Sequence, residues 1–392
     1  MAGSSQESKK LKRIHAVDRL SVLPDSILHH ILSFLDTKSV VRTSLLARRW
    51  RCLWKHVPVL NFIQTSFPNL SSFTKHINKV LSLRFQKIPV GSITFDICGD
   101  KWGGAMKTFE KIMKYADSHG GGLYHLSFVD DKFQFEIGGI ADVITASRCN
   151  ESLKTLILRR CTLKREFGWR FNLLTTLELC QCRLDPYPVG ELFDPFANLP
   201  CLIYLKLLHC ILYSSGSRVM ISGLQLLDLQ IECLNFNGVY EVTAPKLKSL
   251  CLWSYGYDFE RRLPILNLPA LDHANIRLGW FVPYRNAGSK EGNRAFMKFL
   301  QGLHNAECLQ LRFNKMMDRH GEEHRHFPLN RIKELIGPES PPFTRLKSLR
   351  VRCAGQQKLP SIHYEVIRYF FEGSLSTEEK TVQLELVNEK RC

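Results

Sequence analysis

The sequence has no apolar run of about eighteen residues, the length that a helix needs to cross a membrane. Its first fifteen residues are polar and basic, and they lack the apolar segment of seven or more residues that a signal peptide carries. We therefore expect an intracellular protein, cytoplasmic or nuclear, without a membrane among its partners.

The spacing of a zinc site is also missing, although the chain has 13 cysteines. No Cys-x-x-Cys pair occurs, and Cys180-Gln181-Cys182 lacks the second pair that a structural zinc site needs. An odd number of cysteines without a secretory signal favours free thiols. His320, His324 and His326 lie in a polar stretch, which favours a solvated loop over a metal site. We predict no metal and no cofactor.

Three common catalytic motifs do not occur in the chain. There is no Gly-x-Ser-x-Gly nucleophile turn, no His-Glu-x-x-His zinc helix and no Gly-x-x-x-x-Gly-Lys-Ser/Thr phosphate loop. We therefore predict that the chain is not an enzyme.

The segment that begins at Pro24 predicts three short helices. Pro24 suits the first turn of a helix, and Asp25 complements the positive end of the helix dipole. The following apolar residues cover a sector wider than one buried stripe: Ile27, Leu28, Ile31, Leu32, Phe34 and Leu35. Thr37 or Ser39 is expected to cap a second helix, and a third carries Trp50, Leu53, Trp54 and Val57. The wide sector indicates one contact inside the module and one with a partner, or else ordinary packing on the rest of the chain.

This segment resembles the F-box of plant F-box/leucine-rich-repeat proteins, over about Val17 to Phe62. The resemblance is carried by Asp-Arg-Leu-Ser-x-Leu-Pro-Asp from Asp18 to Asp25, Ile-Leu-Ser-Phe-Leu from Ile31 to Leu35, and Arg-Arg-Trp-Arg from Arg48 to Arg51. It implies docking to a Skp-type adaptor of an SCF ubiquitin ligase. The implied contact residues are Leu23, Pro24, Ile27, Leu28, Ile31, Leu32, Leu35, Val41, Leu45, Leu46 and Trp50.

Leucines then recur in the pattern Leu-x-x-Leu-x-Leu-x-x-Cys or Asn, which is typical of leucine-rich repeats. Three strong units are Leu153/Leu156/Leu158/Cys161, Leu174/Leu177/Leu179/Cys182 and Leu202/Leu205/Leu207/Cys210. Three more units follow: Leu224/Leu227/Leu229, Leu247/Leu250/Leu252 and Leu271/Ala274/Ile276. Weaker units begin at Val90, Leu123, Ala306 and Leu346. Each unit predicts a short strand with inward leucines, followed by a turn whose Cys or Asn bonds to the backbone.

We predict an α/β fold, in which a three-helix F-box module precedes an irregular leucine-rich-repeat solenoid. Parallel strands should form the concave face, with helices and loops outside, because neighbouring units must share one core. Asn293 to Leu303 is expected to be one of these helices. The predicted divisions are a disordered basic tail (1–16), the F-box (17–62), the repeat array (63–360) and a helix-strand cap (361–392). In the cap, a helix is expected at Ile362 to Phe371 and a strand at Thr381 to Val387. An α/β domain with leucine-rich strands but no solenoid is the alternative.

Residues between the repeat leucines should project from the concave face and bind a target protein. In the unit that begins at Leu224, this alignment places Leu226, Asp228 and Gln230 outward. Aromatic residues supply rigid contact area, and basic residues clamp carboxylates or phosphates. The candidates for target binding are Tyr204, Lys206, Trp253, Arg277, Arg312, Arg350 and Arg352.

The formal net charge is +17, from 54 basic and 37 acidic side chains. Such an excess attracts acidic partners over a distance, and we expect an acidic or phosphorylated target protein. Nucleic acid is the competing ligand, but the basic residues are spread along the chain and no recognised nucleic-acid-binding motif is present.

The function that we predict is substrate recognition in an SCF-type ubiquitin ligase. The F-box would dock the Skp-type adaptor and, through it, the cullin and RING subunits, while the repeat array would bind the protein to be ubiquitinated. Two alternatives stay open at this point. One is an interaction scaffold that acts outside a ligase, and the other is a receptor for a small molecule or an inositol phosphate.

Overall fold

The computed structural model describes the following residues: 20, 22–98, 102–120, 122–130, 140–163, 171–184, 192–211, 218–234, 239–256, 263–281, 290–316, 343–354, 370 and 381–387. The predicted basic tail and the cluster of His320, His324 and His326 lie outside these residues. Of the predicted cap helix, only Phe370 is described, and this residue is helical and 1% exposed.

The N-terminal module contains three short helices, as the sequence predicts. They are α1 (Asp25–Ser33), α2 (Thr37–Arg42) and α3 (Trp50–Leu53), with 3₁₀ turns at Thr43–Leu45 and Trp54–His56. The predicted start of α1 is confirmed, with Pro24 as the N-cap and not in the first turn where it was expected. The predicted cap of α2 was wrong, because Asp36 caps this helix by accepting a hydrogen bond from the backbone N–H of Ser39 at 3.0 Å. The Thr37 hydroxyl instead accepts a hydrogen bond from the backbone N–H of Asn61.

Twelve parallel strands form one continuous sheet after the helices. Their order in the sheet follows their order in the chain. The strands are β1 (Val59–Ile63), β2 (Ser92–Ile97), β3 (His125–Asp130), β4 (Thr155–Arg159), β6 (Thr176–Cys180), β9 (Tyr204–Leu208), β11 (Asp228–Leu234), β13 (Ser249–Gly256), β15 (His273–Phe281), β16 (Cys308–Met316), β17 (Ser348–Ala354) and β18 (Thr381–Val387). The repeat solenoid is therefore confirmed. The predicted strand Thr381–Val387 is confirmed as well, and it extends the same sheet beyond the last predicted unit.

The sheet begins inside the segment that the sequence assigns to the F-box. β1 pairs in parallel with β2, so Val59 to Ile63 form the first strand of the array. The divisions at residues 62 and 360 stay predictions, and in the described chain the module and the sheet share this strand.

Helices and smaller strands cover the side of the main sheet that lies opposite the concave face. The helices are α4 (Leu70–Leu83), α5 (Trp102–Ser118), α6 (Ile140–Ala146) and α7 (Lys290–Gln301), with 3₁₀ turns at Gln64–Ser66 and Arg148–Glu151. A second parallel sheet consists of β8 (Leu192–Phe193), β10 (Arg218–Ser222), β12 (Val239–Thr243) and β14 (Ile265–Asn267), and a separate pair consists of β5 (Thr162–Leu163) and β7 (Arg183–Leu184). α7 confirms the predicted helix at Asn293 to Leu303, displaced by two or three residues at its ends.

Aromatic side chains from helices and strands meet in the core of the first repeats. Phe95 of β2 is fully buried, with its ring centroid 5.8 Å from that of Phe73 in α4 and 5.5 Å from that of Phe109 in α5. The Phe128 ring of β3 lies 5.7 Å from the Phe95 ring on the neighbouring strand. These contacts hold α4 and α5 against the side of the sheet that carries its buried residues.

The cysteine of each strong repeat bonds to the backbone, as predicted. The thiol of Cys161 donates to the Arg159 carbonyl, that of Cys182 to the Leu158 carbonyl and that of Cys210 to the Leu179 carbonyl, each at 3.3 Å. Burial raises the pKa of the Cys161 and Cys210 thiols, which keeps both as neutral donors. The cysteines therefore close the turn after each strand.

One repeat follows a different register from the predicted one. In β11, Leu229 pairs with Leu205 and Ile231 pairs with Leu207 of the preceding strand. The buried set is Leu226, Leu229 and Ile231, whereas Leu224 and Leu227 are exposed. The run of leucines fits the repeat pattern in two registers that differ by two residues, and pairing with the neighbouring strand selects one of them. The outward positions of this strand are consequently 228, 230 and 232.

Candidate interaction surfaces

Helix α1 carries apolar side chains on two faces. Leu28 and Leu32 are buried in the core of the module. Ile27, Ile31 and Phe34 follow one another at steps of four and three residues, which places them on one side of the helix, and all three are exposed. Because Phe34 is 74% exposed, this second face is available to a partner.

A second exposed apolar site lies at the 3₁₀ turn after α2. Leu45 is 85% exposed and Leu46 is 67% exposed. The turn is held in place by hydrogen bonds from the Thr43 hydroxyl to the Val40 carbonyl at 2.7 Å and from the Leu46 N–H to the Thr43 carbonyl at 2.9 Å. Single exposed leucines are common on proteins. Two adjacent exposed leucines form a larger apolar area in a very short segment.

The predicted adaptor contacts divide into three groups. Pro24, Ile27, Ile31, Leu35, Leu45 and Leu46 are exposed, and Leu23 and Val41 are half-buried. Leu28, Leu32 and Trp50 are buried, so their side chains stabilise the module and do not present a surface. Sequence reasoning treated both faces of α1 alike because each repeats with helical spacing. It also omitted Phe34 from the contact set, although the spacing of Phe34 from Ile27 and Ile31 was a usable signal.

The start of α1 is tied to the third helix by one arginine. The Arg49 guanidinium lies 2.5 Å from the Asp25 carboxylate and donates to the Leu23 carbonyl at 2.6 Å. These contacts hold the Leu23-Pro24 segment against the module while leaving the outer face of α1 open.

The module is joined to the first repeat through polar contacts of Asn61 and Lys38. The Asn61 N–H donates to the Thr37 hydroxyl at 2.9 Å, and the Asn61 side-chain amide donates to the Leu35 carbonyl at 3.1 Å. The Lys38 ammonium donates to the Ser66 carbonyl and lies 4.5 Å from the centroid of the Phe67 ring. Helix α2 is thus bonded directly to β1 and to the turn that follows it.

Arg84 completes this joint from the other side. Its side chain is only 3% exposed, and its guanidinium donates to the carbonyls of Val57 at 2.7 Å, Ile88 at 3.1 Å and Pro89 at 3.2 Å. Burial lowers the pKa of Arg84 from its very high ordinary value. Because the three carbonyls come from both sides of the joint, the side chain fixes the module relative to the array.

Comparisons with known proteins agree with the fold and with the N-terminal surface. Residues 20–62 match the family profile of the F-box domain. An F-box/LRR-repeat protein of Arabidopsis thaliana is 33% identical over 314 residues, which are 76% of this chain and 60% of the relative. An F-box/FBD/LRR-repeat protein of the same plant is 45% identical over 85 residues, which are 20% of each chain. This chain contains an F-box domain and is similar to plant F-box/leucine-rich-repeat proteins.

The chain spans little more than half the length of several curated relatives that it matches. The share of the relative that is covered is 52% for an F-box/FBD/LRR-repeat protein and 55% for an F-box/LRR-repeat protein, both from Arabidopsis thaliana. The match extends beyond the F-box, because these alignments cover 67% and 71% of the present chain. The repeat array is therefore part of what the family shares.

The outward side chains of the repeat array form rows across the concave face. Residues paired in register on successive strands stand side by side, about 4.8 Å apart. The carboxyl-terminal row takes the fifth residue of each strand, which is the last residue of β4, β6 and β9. From β4 to β17 it consists of Arg159, Cys180, Leu208, Glu232, Trp253, Arg277, Arg312 and Arg352. Glu232 was missed by the sequence analysis because of the register error in β11.

Basic side chains in the middle of the concave face have acidic neighbours. The Lys206 ammonium lies 3.5 Å from the Glu178 carboxylate, and His209 Nε2 lies 3.4 Å from the Glu232 carboxylate. Burial, with the nearby carboxylates of Glu178 and Asp228, raises the pKa of Tyr204. Tyr204 and Lys206 therefore lie in a region of mixed charge, which we call the paired half (β6 to β11).

Four arginines lie at outward positions of the next four strands, β13, β15, β16 and β17, which we call the arginine half. The guanidinium carbon of Arg277 lies 3.8 Å from the centroid of the Trp253 ring, a cation–π contact. Arg312 is the register partner of Arg277, and Arg352 is that of Arg312. The structure thus brings together Trp253, Arg277, Arg312, Arg350 and Arg352, and separates them from Tyr204 and Lys206.

No described helix is long and apolar enough to cross a membrane. The described part of the chain contains no group of three or more His, Cys, Asp or Glu side chains arranged to hold a metal ion.

Proposed function

We propose that this chain is the substrate-recognition subunit of an SCF-type ubiquitin ligase. In this proposal the F-box binds a Skp-type adaptor, and the adaptor links the chain to the cullin and RING subunits. The concave face of the array binds the target protein. The observation that carries the proposal is the exposed apolar surface of α1 and of the turn at Leu45, within the residues that match the F-box domain.

The free energy of burying this apolar surface favours a stable complex with a partner. Burying one leucine or isoleucine side chain contributes roughly 1.5–3 kcal/mol. Ile27, Ile31, Phe34, Leu45 and Leu46 leave much of that free energy unused in the isolated chain. A complementary apolar surface on an adaptor would recover it, whereas water does not.

The chain would act by proximity and not by chemistry of its own. A target held on the concave face shares one assembly with the ubiquitin carrier, so its lysines meet the carrier at a high effective concentration. The joint made by Asn61, Lys38 and Arg84 supports this mechanism, because it fixes the adaptor-binding surface relative to the target-binding face.

Adaptor binding is the first test, measured by calorimetry with the full chain and a purified Skp-type adaptor. We expect the double change Leu45→Ala/Leu46→Ala to weaken binding by about a hundredfold or more, because two apolar contacts of roughly 1.5–3 kcal/mol each are lost. Both side chains are exposed, so the free energy of unfolding should change little.

A matched control is available on the array. Leu224 is 73% exposed and lies far from the F-box in the chain, so Leu224→Ala removes the same exposed side chain from another surface. This control should bind the adaptor like the wild type. Unchanged binding in the Leu45/Leu46 variant, or absence of binding by the folded wild type, would refute the proposal.

A further inference from the structure

We infer that this chain pairs with a second copy of itself through the amino-terminal rim of the repeat array, the line of residues that immediately precede the strands. The centre of this rim carries an exposed apolar patch, which consists of Leu173, Ile203, Leu224 and Leu227. The contact uses none of the residues assigned above to the adaptor or to the target protein. The inference therefore goes beyond the proposed function and does not depend on it.

The rim is an ordered row because the backbone pairing of the strands continues into the residue before each strand. The N–H of Ile203 donates to the Thr175 carbonyl at 2.9 Å, and that of Leu227 donates to the Ile203 carbonyl at 2.8 Å. Equivalent hydrogen bonds join the neighbouring strands, so successive rim residues lie about 4.8 Å apart. From β4 to β16 the row consists of Lys154, Thr175, Ile203, Leu227, Lys248, Asp272 and Glu307.

The apolar patch is continuous and held in place. Ile203 and Leu227 are neighbours in the row, and both are exposed. Leu173 and Leu224 lie in the turns that lead into β6 and β11, and each turn is closed by a backbone hydrogen bond of 3.3 Å. Single exposed apolar residues are common, but a contiguous patch marks an interaction site. Because the turns fix the patch before a partner arrives, little backbone freedom is lost on binding.

The position of the patch favours a second copy as its occupant. β9 and β11 are the sixth and seventh of the twelve strands, so the patch lies at the middle of the sheet. A two-fold axis between Ile203 and Leu227 would lay two rims against each other in opposite directions along the row. Such an axis, pointing along the radius of the array, reverses the order of the strands and keeps the direction of curvature. Two curved arrays can therefore match along their rims.

The charges on the rim are complementary under this axis. Ile203 of one copy faces Leu227 of the other, which buries the centre of both patches. Lys154 and Asp272 lie on opposite sides of the axis, each two and a half strand spacings or about 12 Å away. Lys154 of one copy therefore faces Asp272 of the other, and the symmetry produces this ion pair twice.

Other positions of the axis are less favourable. An axis through Ile203 itself would set Lys154 of one copy against Lys248 of the other, two like charges. An axis through Leu227 would set the ammonium group of Lys248 against the apolar side chain of Ile203. Like charges across an interface are costly, and a desolvated ammonium without an acceptor is costly too. The position between Ile203 and Leu227 avoids both.

Lys154 and Asp272 suit the contact between copies. The Lys154 side chain is exposed and has no ion-pair partner among the described residues. The hydrogen bond from Lys248, with Arg345 nearby, lowers the pKa of Asp272, so its carboxylate is charged at neutral pH. Exposed ion pairs contribute more to specificity than to affinity. The pair therefore sets the register of the two rims, and the apolar patch supplies most of the binding free energy.

The oligomeric state of the full chain tests the inference, measured by sedimentation velocity across the micromolar range. We expect the wild type to form a dimer whose fraction rises with concentration. Ile203→Asp/Leu227→Asp gathers four carboxylates around the axis, so it should weaken the dimer by at least about a hundredfold. Thermal unfolding of this variant shows whether its fold is intact.

The charge pair tests the symmetry with milder changes. Lys154→Glu alone and Asp272→Lys alone should each weaken the dimer by at least about tenfold, because each sets like charges against each other twice. Mixing the two single variants should restore a dimer, since opposite charges then meet at both contacts. Within one chain the two positions lie five strand spacings or about 24 Å apart, so this rescue cannot arise inside a single copy.

Lys107→Glu is the matched control for the charge reversals. Lys107 is exposed on α5, away from the rim, so the same change of charge there should leave the dimer intact. The exposed F-box leucines are a second possible source of self-association. All measurements are therefore repeated with Leu45→Ala/Leu46→Ala in the chain, and the dimer should persist.

Four results would overturn the inference. A wild type that stays monomeric at its highest soluble concentration would remove the second copy as the occupant of the patch. A dimer that survives Ile203→Asp/Leu227→Asp would place the contact on another surface, and one that disappears with Leu45→Ala/Leu46→Ala would place it on the F-box. Failure of the mixed charge variants to associate would contradict the two-fold arrangement.

Discussion

The F-box module and the repeat array use the same apolar residues in opposite ways. In the array the repeat leucines are buried almost completely, whereas in the module Ile27, Phe34, Leu45 and Leu46 are exposed. Each repeat can cover the apolar face of its neighbour, so the array satisfies itself along its length. The module has only three short helices and too little interior to bury all its apolar side chains. An excess of apolar residues therefore marks a core in one region and an interface in the other.

The joint between the module and the array depends on polar side chains. Arg84, Asn61 and Lys38 connect them mainly through hydrogen bonds to backbone carbonyls. Such contacts depend on the positions of main-chain atoms, so they fix the orientation of two regions whose buried apolar residues belong to one continuous core. The module can therefore stay attached to the array and still offer its outer surface to a partner.

The largest effect is expected from a pair of phenylalanine variants that tests the comparison directly. Phe95→Ala in the array should lower the free energy of unfolding by about 3–5 kcal/mol, because it empties the centre of the buried ring cluster. Phe34→Ala in the module should change it by less than about 0.5 kcal/mol, because that ring is exposed. Denaturant unfolding of the full chain measures both values. A loss of similar size in the two variants would break the comparison, since it would give Phe34 a structural role.

A smaller effect concerns the turns of the array. Arg160, Gln181 and His209 have positive φ angles of 57°, 54° and 51° at equivalent positions, each just before the cysteine of its repeat. Left-handed backbone costs roughly 1–2 kcal/mol for a residue with a side chain, and β-branched residues tolerate it worst. His209→Val should therefore be less stable than His209→Gly by about 1–2 kcal/mol.

The same pair of substitutions in the module gives the contrast. Within the described residues, no non-glycine position of the module has a positive φ. At His30, which lies in α1, glycine should instead be the less stable replacement, because glycine is a poor helix former. Thermal unfolding of the four variants measures both differences. If the valine variant were more stable than the glycine variant at His209 as well as at His30, the left-handed turn would not limit the stability of the array.

The smallest effect is a dependence on pH. Burial and the nearby Lys38 lower the pKa of His76, which packs at the joint, and burial lowers the pKa of His125 in β3, where Glu178 partly opposes the change. The unfolded chain then binds protons more readily than the folded one. The free energy of unfolding should fall as the pH drops below about 6.5, the ordinary pKa of histidine, and should level off below the folded pKa.

Two glutamine variants assign this dependence to a region. His76→Gln removes the titration at the joint, and His125→Gln removes the one in the array. Each should flatten the fall in the free energy of unfolding between pH 7.5 and 5.5, measured by denaturant titration. An unaltered profile in both variants would place the acid sensitivity elsewhere in the chain.

Local spacing was enough to predict much of this molecule. The units with Cys161, Cys182 and Cys210 determine their own strands and turns, because leucine spacing and the cysteine position agree within each unit. The start of α1 at Pro24 and the strand at Thr381–Val387 likewise follow from short-range patterns. Long-range pairing was needed at Leu224 to Leu229, where two registers fit the pattern equally well.

The sequence by itself determined the kind of architecture, because each repeat carries its own apolar period and its own turn residue. Only the tertiary structure decided which face of α1 is covered, so that Leu28 and Leu32 are core residues while Ile27 and Ile31 are exposed. It also decided that Arg277 and Arg312, separated in the chain, become neighbours beside Trp253. The physical reason is that periodicity is a local property, whereas burial and charge proximity depend on which strands and helices meet.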